Sequence, residues 1–372
     1  MIILCSAWLA LKKIDELESI RGLAALLVVF FHLPKWHPLL DNGLINNSYL
    51  MVELFFVLSG FVIFNAYGEN IQTKQALLRF QFLRFGRLYP VHLIFLFVTL
   101  AIESAKYIAA THFGIQASTS APFEINSPAA FIKHLLLISA VLPNQALSFN
   151  NPAWSISVEF YTYLVFALII LFFGKIKTSV FLLIAISALL LLVSKNTFGF
   201  NDLLRCFSGF FIGCLTASAT KRATCTLPAY LTWLVMIAIV IFLQEKSSAV
   251  YDPIIFFLTA ALIASLVLSK DNALKVLLRT KYLTWLGTVS YSVYMSHYSI
   301  EWVVNQFIRV VLKKPVVVYA NGKSDAQLSS VETLFACLIV VVSVLLVSAL
   351  VYHFVEKPMR EKSRRFALHR FS

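Results

Sequence analysis

The sequence predicts an all-α, polytopic transmembrane helix bundle, and three observations carry that expectation. Hydrophobic residues make up 59% of the chain and charged residues only 13%, against roughly 45–50% and about 25% in soluble domains. Several runs of about 18 residues or more hold few or no charges, the length a helix needs to cross roughly 30 Å of hydrocarbon. The Lys and Arg residues lie in short clusters between those runs and form no single patch. A membrane β-barrel would show short alternating segments instead.

In chain order the apolar runs fall near residues 17–37, 48–67, 88–110, 152–173, 178–194, 203–219, 227–243, 250–268, 283–311 and 331–355. About ten spans place both termini on one side of the membrane. The orientation follows from the basic residues of the short loops. Lys12 and Lys13, then Arg79, Arg84 and Arg87, Lys175 and Lys177, Lys221 and Arg222, Lys270, Lys275, Arg279 and Lys281, and the basic tail 358–372 all fall on one face, which is predicted to be cytoplasmic. Residues 111–130 carry no Lys or Arg and are expected outside. The stretch 131–150 is apolar for about a dozen residues, too few for a span, and reads as a re-entrant or interfacial piece covered by protein. The whole chain, 1–372, reads as one integral membrane domain, with residues 1–11 as an N-terminal extension.

Composition also narrows the function. The net charge of +13 is accounted for by loop residues obeying the positive-inside bias, so nucleic acid is not an expected partner. The five cysteines form no CxxC pair and no His/Cys cluster, so neither a disulfide framework nor a metal site is expected. Walker, G-x-G-x-x-G, G-x-S-x-G and H-E-x-x-H patterns are missing. What remains is a histidine base with arginines for a phosphorylated donor.

Several polar residues sit inside apolar runs, where an ionisable group costs on the order of 2.5–3.5 kcal/mol and normally faces the bundle interior or a wet cavity. Arg21 and His32 are eleven residues apart, so one helix face carries both, roughly 16 Å apart along the axis. They read either as chemistry or as a snorkelling arginine and a hydrogen-bonded histidine. Arg84 and Arg87, in RFQFLRFGRLYP, share one side of a helix. Two guanidiniums at a cytoplasmic rim suit a diphosphate or nucleotide phosphate, and topology alone also explains them. Glu159 lies several residues into a run, beside Trp154, Ser155 and Ser157, and could orient a histidine, pair with an arginine or accept from a sugar hydroxyl. His297 has Glu301 four residues on and Ser290 seven residues before it, all on one face. Glu53, near the outer boundary, could bind a substrate hydroxyl or face water; Ser59 and Gly60 read as a helix-packing pair.

Together these segments resemble the membrane acyltransferase-3 family, integral O-acetyltransferases of bacterial cell-surface glycans. The likeness runs from KKIDELESIRGLAALLVVFFH through VELFFVLSGFVI, FLRFGRLYP, NPAWSISVEFYTYL and SYSVYMSH to FVEKPMR. Its most specific elements are an arginine and a histidine with ten residues between them, matched by Arg21 and His32, and an R-x-x-R pair, matched by Arg84 and Arg87. The resemblance implies transfer of an acyl group, usually acetyl from acetyl-CoA as co-substrate, to a hydroxyl of a surface or lipid-linked polysaccharide sugar in a bacterial inner membrane. No permanently bound cofactor is implied. On that reading His32 is general base or transient acyl carrier and Arg21 stabilises charge or holds the donor. Arg84, Arg87 and Tyr89 would receive CoA, while Glu159, His297, Glu53 and Ser157 orient residues or contact the acceptor. A lipid, antibiotic or other small-molecule acceptor is the alternative within enzymes. A proton-coupled secondary transporter is the rival from another class, since carriers also bury Arg, His and Glu.

Overall fold

The structure, a computed structural model, describes residues 14–114, 121–318 and 324–371. The 1–11 extension, Cys5, Lys12 and Lys13 lie outside the described residues. Among the described residues fourteen α-helices follow one another: α1 (Asp15–His32), α2 (Gly43–Asn46), α3 (Met51–Tyr67), α4 (Lys74–Phe113), α5 (Pro128–Leu135), α6 (Ala153–Phe173), α7 (Lys177–Val193), α8 (Asn201–Arg222), α9 (Tyr230–Glu245), α10 (Ile254–Leu268), α11 (Ala273–Leu278), α12 (Lys281–Gln306), α13 (Ser330–Val351) and α14 (Lys357–Arg370).

Each of the ten apolar runs is helical, but they are not equal. Six helical stretches, containing α3, α4, α6, α8, α10 and α13, are long and apolar enough to cross a membrane. Helices α7 and α9 are as apolar but have 17 and 16 residues. Helix α1 has 18 residues and starts with Asp15, Glu16 and Glu18. It stops at His32, short of the expected 37, because Pro34 cannot continue the ladder and biases the residue before it towards extended backbone.

Two further boundaries differ from expectation. Residues 79–90 are not a loop: α4 starts at Lys74, where Thr73 Oγ1 accepts from the Ala76 N–H at 3.1 Å, and runs through Pro90 to Gly114, at φ +65°. Its 40 residues rise about 60 Å, twice the hydrocarbon thickness. At the other end of the chain, α13 does not stop at 355 but passes through a π-helical turn, Tyr352–Glu356, into α14. Among the described residues the all-α expectation has small exceptions, an antiparallel pair of β1 (Val316–Val318) and β2 (Ser324–Ala326) and a single bridge between Leu227 and Ser269.

Helix α5 has eight residues, about 12 Å of rise, and cannot cross. Backbone and side-chain ties hold the segment after it against the bundle. Tyr89 donates to Leu135 O at 3.1 Å, Ser157 Oγ donates to Leu137 O at 2.6 Å and accepts from the Ala140 N–H at 3.2 Å, and Asn150 Nδ2 donates to Met295 O at 2.9 Å.

The centre is an aromatic core in which Phe80, Phe166, Phe181, Phe210 and Phe211 are fully buried. Backbones meet closely where side chains vanish: a Cβ on Gly60 would lie 1.8 Å from Phe210 O, and one on Gly287 would lie 2.0 Å from Glu18 O. Gly60 therefore locks α3 on α8 and Gly287 locks α12 on α1, the small-residue packing expected of membrane helices.

Charge sorts the two ends of the bundle. Lys177 donates to Gly68 O at 2.7 Å, Lys221 lies over Phe64, Arg279 pairs with Glu16 at 2.7 Å, and α14 packs on α4, so the clusters predicted to share a face do share one end. The opposite end is tied by Lys246 with Asp252 at 2.8 Å and Lys35 Nζ with Leu40 O at 2.8 Å.

Candidate active site

A cavity of about 690 Å³, counted with the solvent at its mouth, opens within the bundle between α1, α3, α4, α6 and α12. Arg21, Arg87, Glu159, Ser59, Tyr163, Ser290 and Tyr294 contribute to its wall. Arg21 reaches it because α1 presents the same face for three turns, and Glu18, one turn earlier, holds its guanidinium at 3.1 Å. Arg87 makes no hydrogen bond among the described residues, and the carboxylates of Glu356, Glu18 and Glu159 are the charges around it. Glu159 accepts from the Tyr163 hydroxyl at 2.5 Å, and Ser59 Oγ lies 2.8 Å from that hydroxyl. Ser59 thus lines the cavity, while its neighbour Gly60 performs the packing.

Tyr294 forms part of the cavity wall, with Phe55 and Ser155 beside it. Its hydroxyl lies 2.9 Å from Ser155 Oγ and 3.0 Å from Pro152 O, and its ring packs on Phe55 and on His297 at 5.8 Å. Behind it His297 and His32 lie side by side, with ring centroids 4.9 Å apart. His32 Nδ1 is 3.0 Å from Val28 O, His297 Nδ1 is 3.3 Å from Val293 O, and His297 Nε2 is 3.3 Å from His32 Nδ1. A carbonyl oxygen only accepts, so each Nδ1 carries the proton, and in neutral rings each Nε2 carries the lone pair. His297 is wholly buried, whereas His32 is partly accessible and its Nε2 has no hydrogen-bond partner among the described residues. Helical i to i−4 spacing therefore fixes the tautomer that leaves one basic nitrogen open.

The other expected site residues divide. Arg84 does not line this cavity: it donates to Tyr67 Oη at 3.3 Å, with its guanidinium 5.4 Å from the Tyr67 ring centre. Tyr89 lies outside the lining, stacks on Phe85 at 4.4 Å and braces Leu135. Ser157 ties down residues 137–140, as described above. Glu53 faces neither water nor cavity; it is buried and paired with Arg205 at 2.5 Å, and Arg205 also binds Asp202 at 3.2 Å and lies over Trp154. Glu53 and Ser157 each have a partner inside the fold, Arg205 for the first and the backbone of Leu137 and Ala140 for the second.

One residue of the site was not singled out from sequence. Glu356, in the π-helical turn, is buried, accepts from Ser292 Oγ at 2.8 Å, and has Arg87, Arg360 and Arg21 as the charges around it. Its signal in the sequence is the single carboxylate at the head of the basic tail, in FVEKPMR. A π-turn distorts the regular ladder, and such turns recur at functional sites.

The family model described as an acyltransferase domain matches residues 14–353. The chain belongs to the acyltransferase-3 family. Over 400 aligned residues it is 26% identical to YrhL of Bacillus subtilis (strain 168), provisionally named a peptidoglycan O-acetyltransferase, covering 96% of this chain and 57% of that one. It is 23% identical over 384 residues to the peptidoglycan O-acetyltransferase OatA of Listeria monocytogenes, covering 94% of this chain and 56% of that one. With the acyltransferase MdmB of Streptomyces mycarofaciens it shares 28% identity over 165 residues, 42% of this chain and 39% of that one. The chain thus spans a little over half of the two O-acetyltransferases. No solved structure matches it. The assignment favours acyl transfer over the proton-coupled carrier.

Proposed function

We propose that the protein transfers an acyl group, acetyl from acetyl-CoA, to a hydroxyl of a surface or lipid-linked polysaccharide sugar. The observation that carries this reading is the cavity that begins among the arginines of the basic end and ends on Tyr294, one ring away from the His297–His32 pair. The positive-inside rule makes the basic end cytoplasmic, in a bacterial inner membrane, where an anionic nucleotide donor is available. Its thioester arm then enters past Arg21 and Arg87. From the opposite side a sugar hydroxyl approaches the open Nε2 of His32.

His32 Nε2 takes the hydroxyl proton as the oxygen attacks the thioester carbonyl; the C–O bond forms, the C–S bond breaks, and the thiolate leaves to be protonated. Arg21 and Arg87 supply positive charge on the donor side of that attack. In the second form of the same chemistry His32 first accepts the acyl group and passes it to the hydroxyl, which suits a donor and an acceptor separated by the Tyr294 wall. His297 positions His32 in either case.

Transfer of labelled acetyl from acetyl-CoA to glycan, in membranes holding equal amounts of wild type, His32→Ala or Arg87→Gln, tests the reading. Label with wild type, none with His32→Ala, and recovery of Arg87→Gln at high donor concentration are expected. Equal transfer by His32→Ala removes its chemical role. No transfer by wild type removes the donor or the glycan acceptor, and a lipid or small-molecule acceptor is then supplied in its place.

A further inference from the structure

Helix α12 carries three buried polar residues at successive i to i+4 positions, His297, Glu301 and Asn305. That spacing puts them on one face, one turn apart. His297 meets His32 at the end of α1, and Asn305 Oδ1 accepts from Trp36 Nε1 at 3.0 Å. The chain leaving α1, residues 33–36, thus passes along this face from the first of the three to the last. Glu301, in the middle, is only 3% exposed, and its Oε1 is closed to solvent with no hydrogen-bond partner. No cation pairs with it among the described residues.

The exit segment has no donor to spare for it. The Leu33 N–H goes to Phe30 O at 3.4 Å, Pro34 has none, the Lys35 N–H goes to Asp325 Oδ2 at 3.3 Å, and the Trp36 N–H goes to Pro34 O at 2.8 Å. Lys35 Nζ is spent on Leu40 O and Asn46 Oδ1. Tyr298, next to His297 on α12, stands edge-on to the His32 ring at 6.1 Å, and Glu301 and Glu103 are the charges around it. Glu103 is committed, to Lys106 at 2.8 Å and to the Phe123 N–H at 3.0 Å. The Tyr298 hydroxyl, like Glu301, has no hydrogen-bond partner among the described residues. Glu301 lies twenty positions after Lys281, roughly 30 Å along α12 from the basic end and so about one hydrocarbon thickness away. A carboxylate buried without donors is costly, and one beside a reactive histidine at the outer boundary calls for a ligand that brings them.

We propose that Glu301 and Tyr298 form the acceptor subsite, where Glu301 accepts from a second hydroxyl of the sugar whose first hydroxyl is presented to His32 Nε2. This rests on the acyl-transfer reading and adds how the acceptor is held. An ionised carboxylate only accepts, so the ligand must bring donors, and a sugar carries neighbouring hydroxyls on one ring. The donor is neutral, because His32 becomes positive as it takes the proton and a second positive charge beside it would oppose that step. Tyr298 is partly accessible, and the sugar reaches the carboxylate past it and bonds its hydroxyl. Both residues bind and select; neither takes the proton of the reacting hydroxyl. An alcohol with no second hydroxyl leaves Glu301 unpaired and is rejected for that reason.

Acetyl transfer by the full chain in phosphatidylcholine nanodiscs, to glycan released from the host membranes, tests this when glycan and acetyl-CoA are each varied in turn. Glu301→Leu is expected to raise the glycan KM about tenfold or more, the worth of a hydrogen bond to a charged group. The acetyl-CoA KM is expected to stay as in wild type, and the unfolding midpoint to stay or rise, because the carboxylate has no partner in the fold to lose. Tyr298→Phe keeps the ring beside His32 and is expected to raise the glycan KM by a smaller factor. Glu332→Gln removes a carboxylate held by Lys314 near the start of α13 and is expected to leave both KM values unchanged. Should Glu301→Leu not fold, Glu301→Gln decides by the same split. A lowered midpoint with an unchanged glycan KM makes the carboxylate structural and overturns the subsite while acyl transfer stands. A rise of both KM values together, or a fall in kcat alone, places Glu301 behind His32 instead of on the acceptor and overturns it too. If wild type transfers no acetyl to the glycan, the acyl-transfer reading falls and this subsite with it.

Discussion

Two of the buried charge groups of this bundle behave differently. Around Glu53, Arg205 is consumed by two carboxylates and the face of Trp154, and none of these residues lines the cavity of the candidate site. Around Glu356, the arginines Arg21, Arg87 and Arg360 come from α1, α4 and α14, and two of them form cavity wall. In apolar surroundings every ion needs a partner. A closed group finds its partners within the fold, whereas the open one leaves donors for a ligand. Burial of a charge is thus no sign of function by itself; an uncommitted donor beside space is.

The sharpest way to break this contrast is to remove chemistry without touching either group. His32→Ala is expected to lower acetyl transfer by about 10²–10⁴-fold, the usual worth of a positioned base, with thermal stability in detergent unchanged. Next, Glu53→Ala leaves Arg205 with Asp202 alone and is expected to destabilise the fold by up to about 3 kcal/mol, read in a detergent-unfolding titration, with normal transfer per folded molecule. Should Glu53→Ala instead keep its stability and lose transfer, the closed group is functional and the contrast fails. Arg87→Gln is expected to do the reverse, raising the donor KM about tenfold, or about 1.4 kcal/mol, with little change in the unfolding midpoint. The smallest effect is expected for Ser157→Ala, about 1 kcal/mol from lost hydrogen bonds to residues 137–140, with the donor KM unaltered.

Much of the architecture could be read directly: the apolar run at 152–173 is α6, Ala153–Phe173, because an uninterrupted apolar stretch of that length has one stable form in lipid. The basic clusters shared an end for a similarly simple reason. What escaped depends on distant residues. Glu53 and Glu159 look alike in sequence, and Arg205, 152 positions beyond Glu53, is what separates them. Arg84 and Arg87 are close on one helix, yet Arg84 lies over Tyr67 and outside the cavity that Arg87 lines. The Arg21-to-His32 spacing did announce a shared face, but not that Tyr294 and His297 would stand between the cavity and the base.

The π-helical turn at Tyr352–Glu356 sets the phase of everything beyond it. Each residue of an α-helix advances the chain by about 100°, and a π-turn accommodates one residue more than the regular ladder. Because the wider turn holds that residue within nearly the same rotation, deleting one residue there would restore a regular helix and leave the phase of α14 nearly unchanged, whereas deleting one from the regular part of α13 would swing α14 by about 100° and turn its present face off α4. The π-turn is thus a place in this long helix where a residue can be lost without turning α14 away from α4, and the same deletion a few residues earlier would part the two helices.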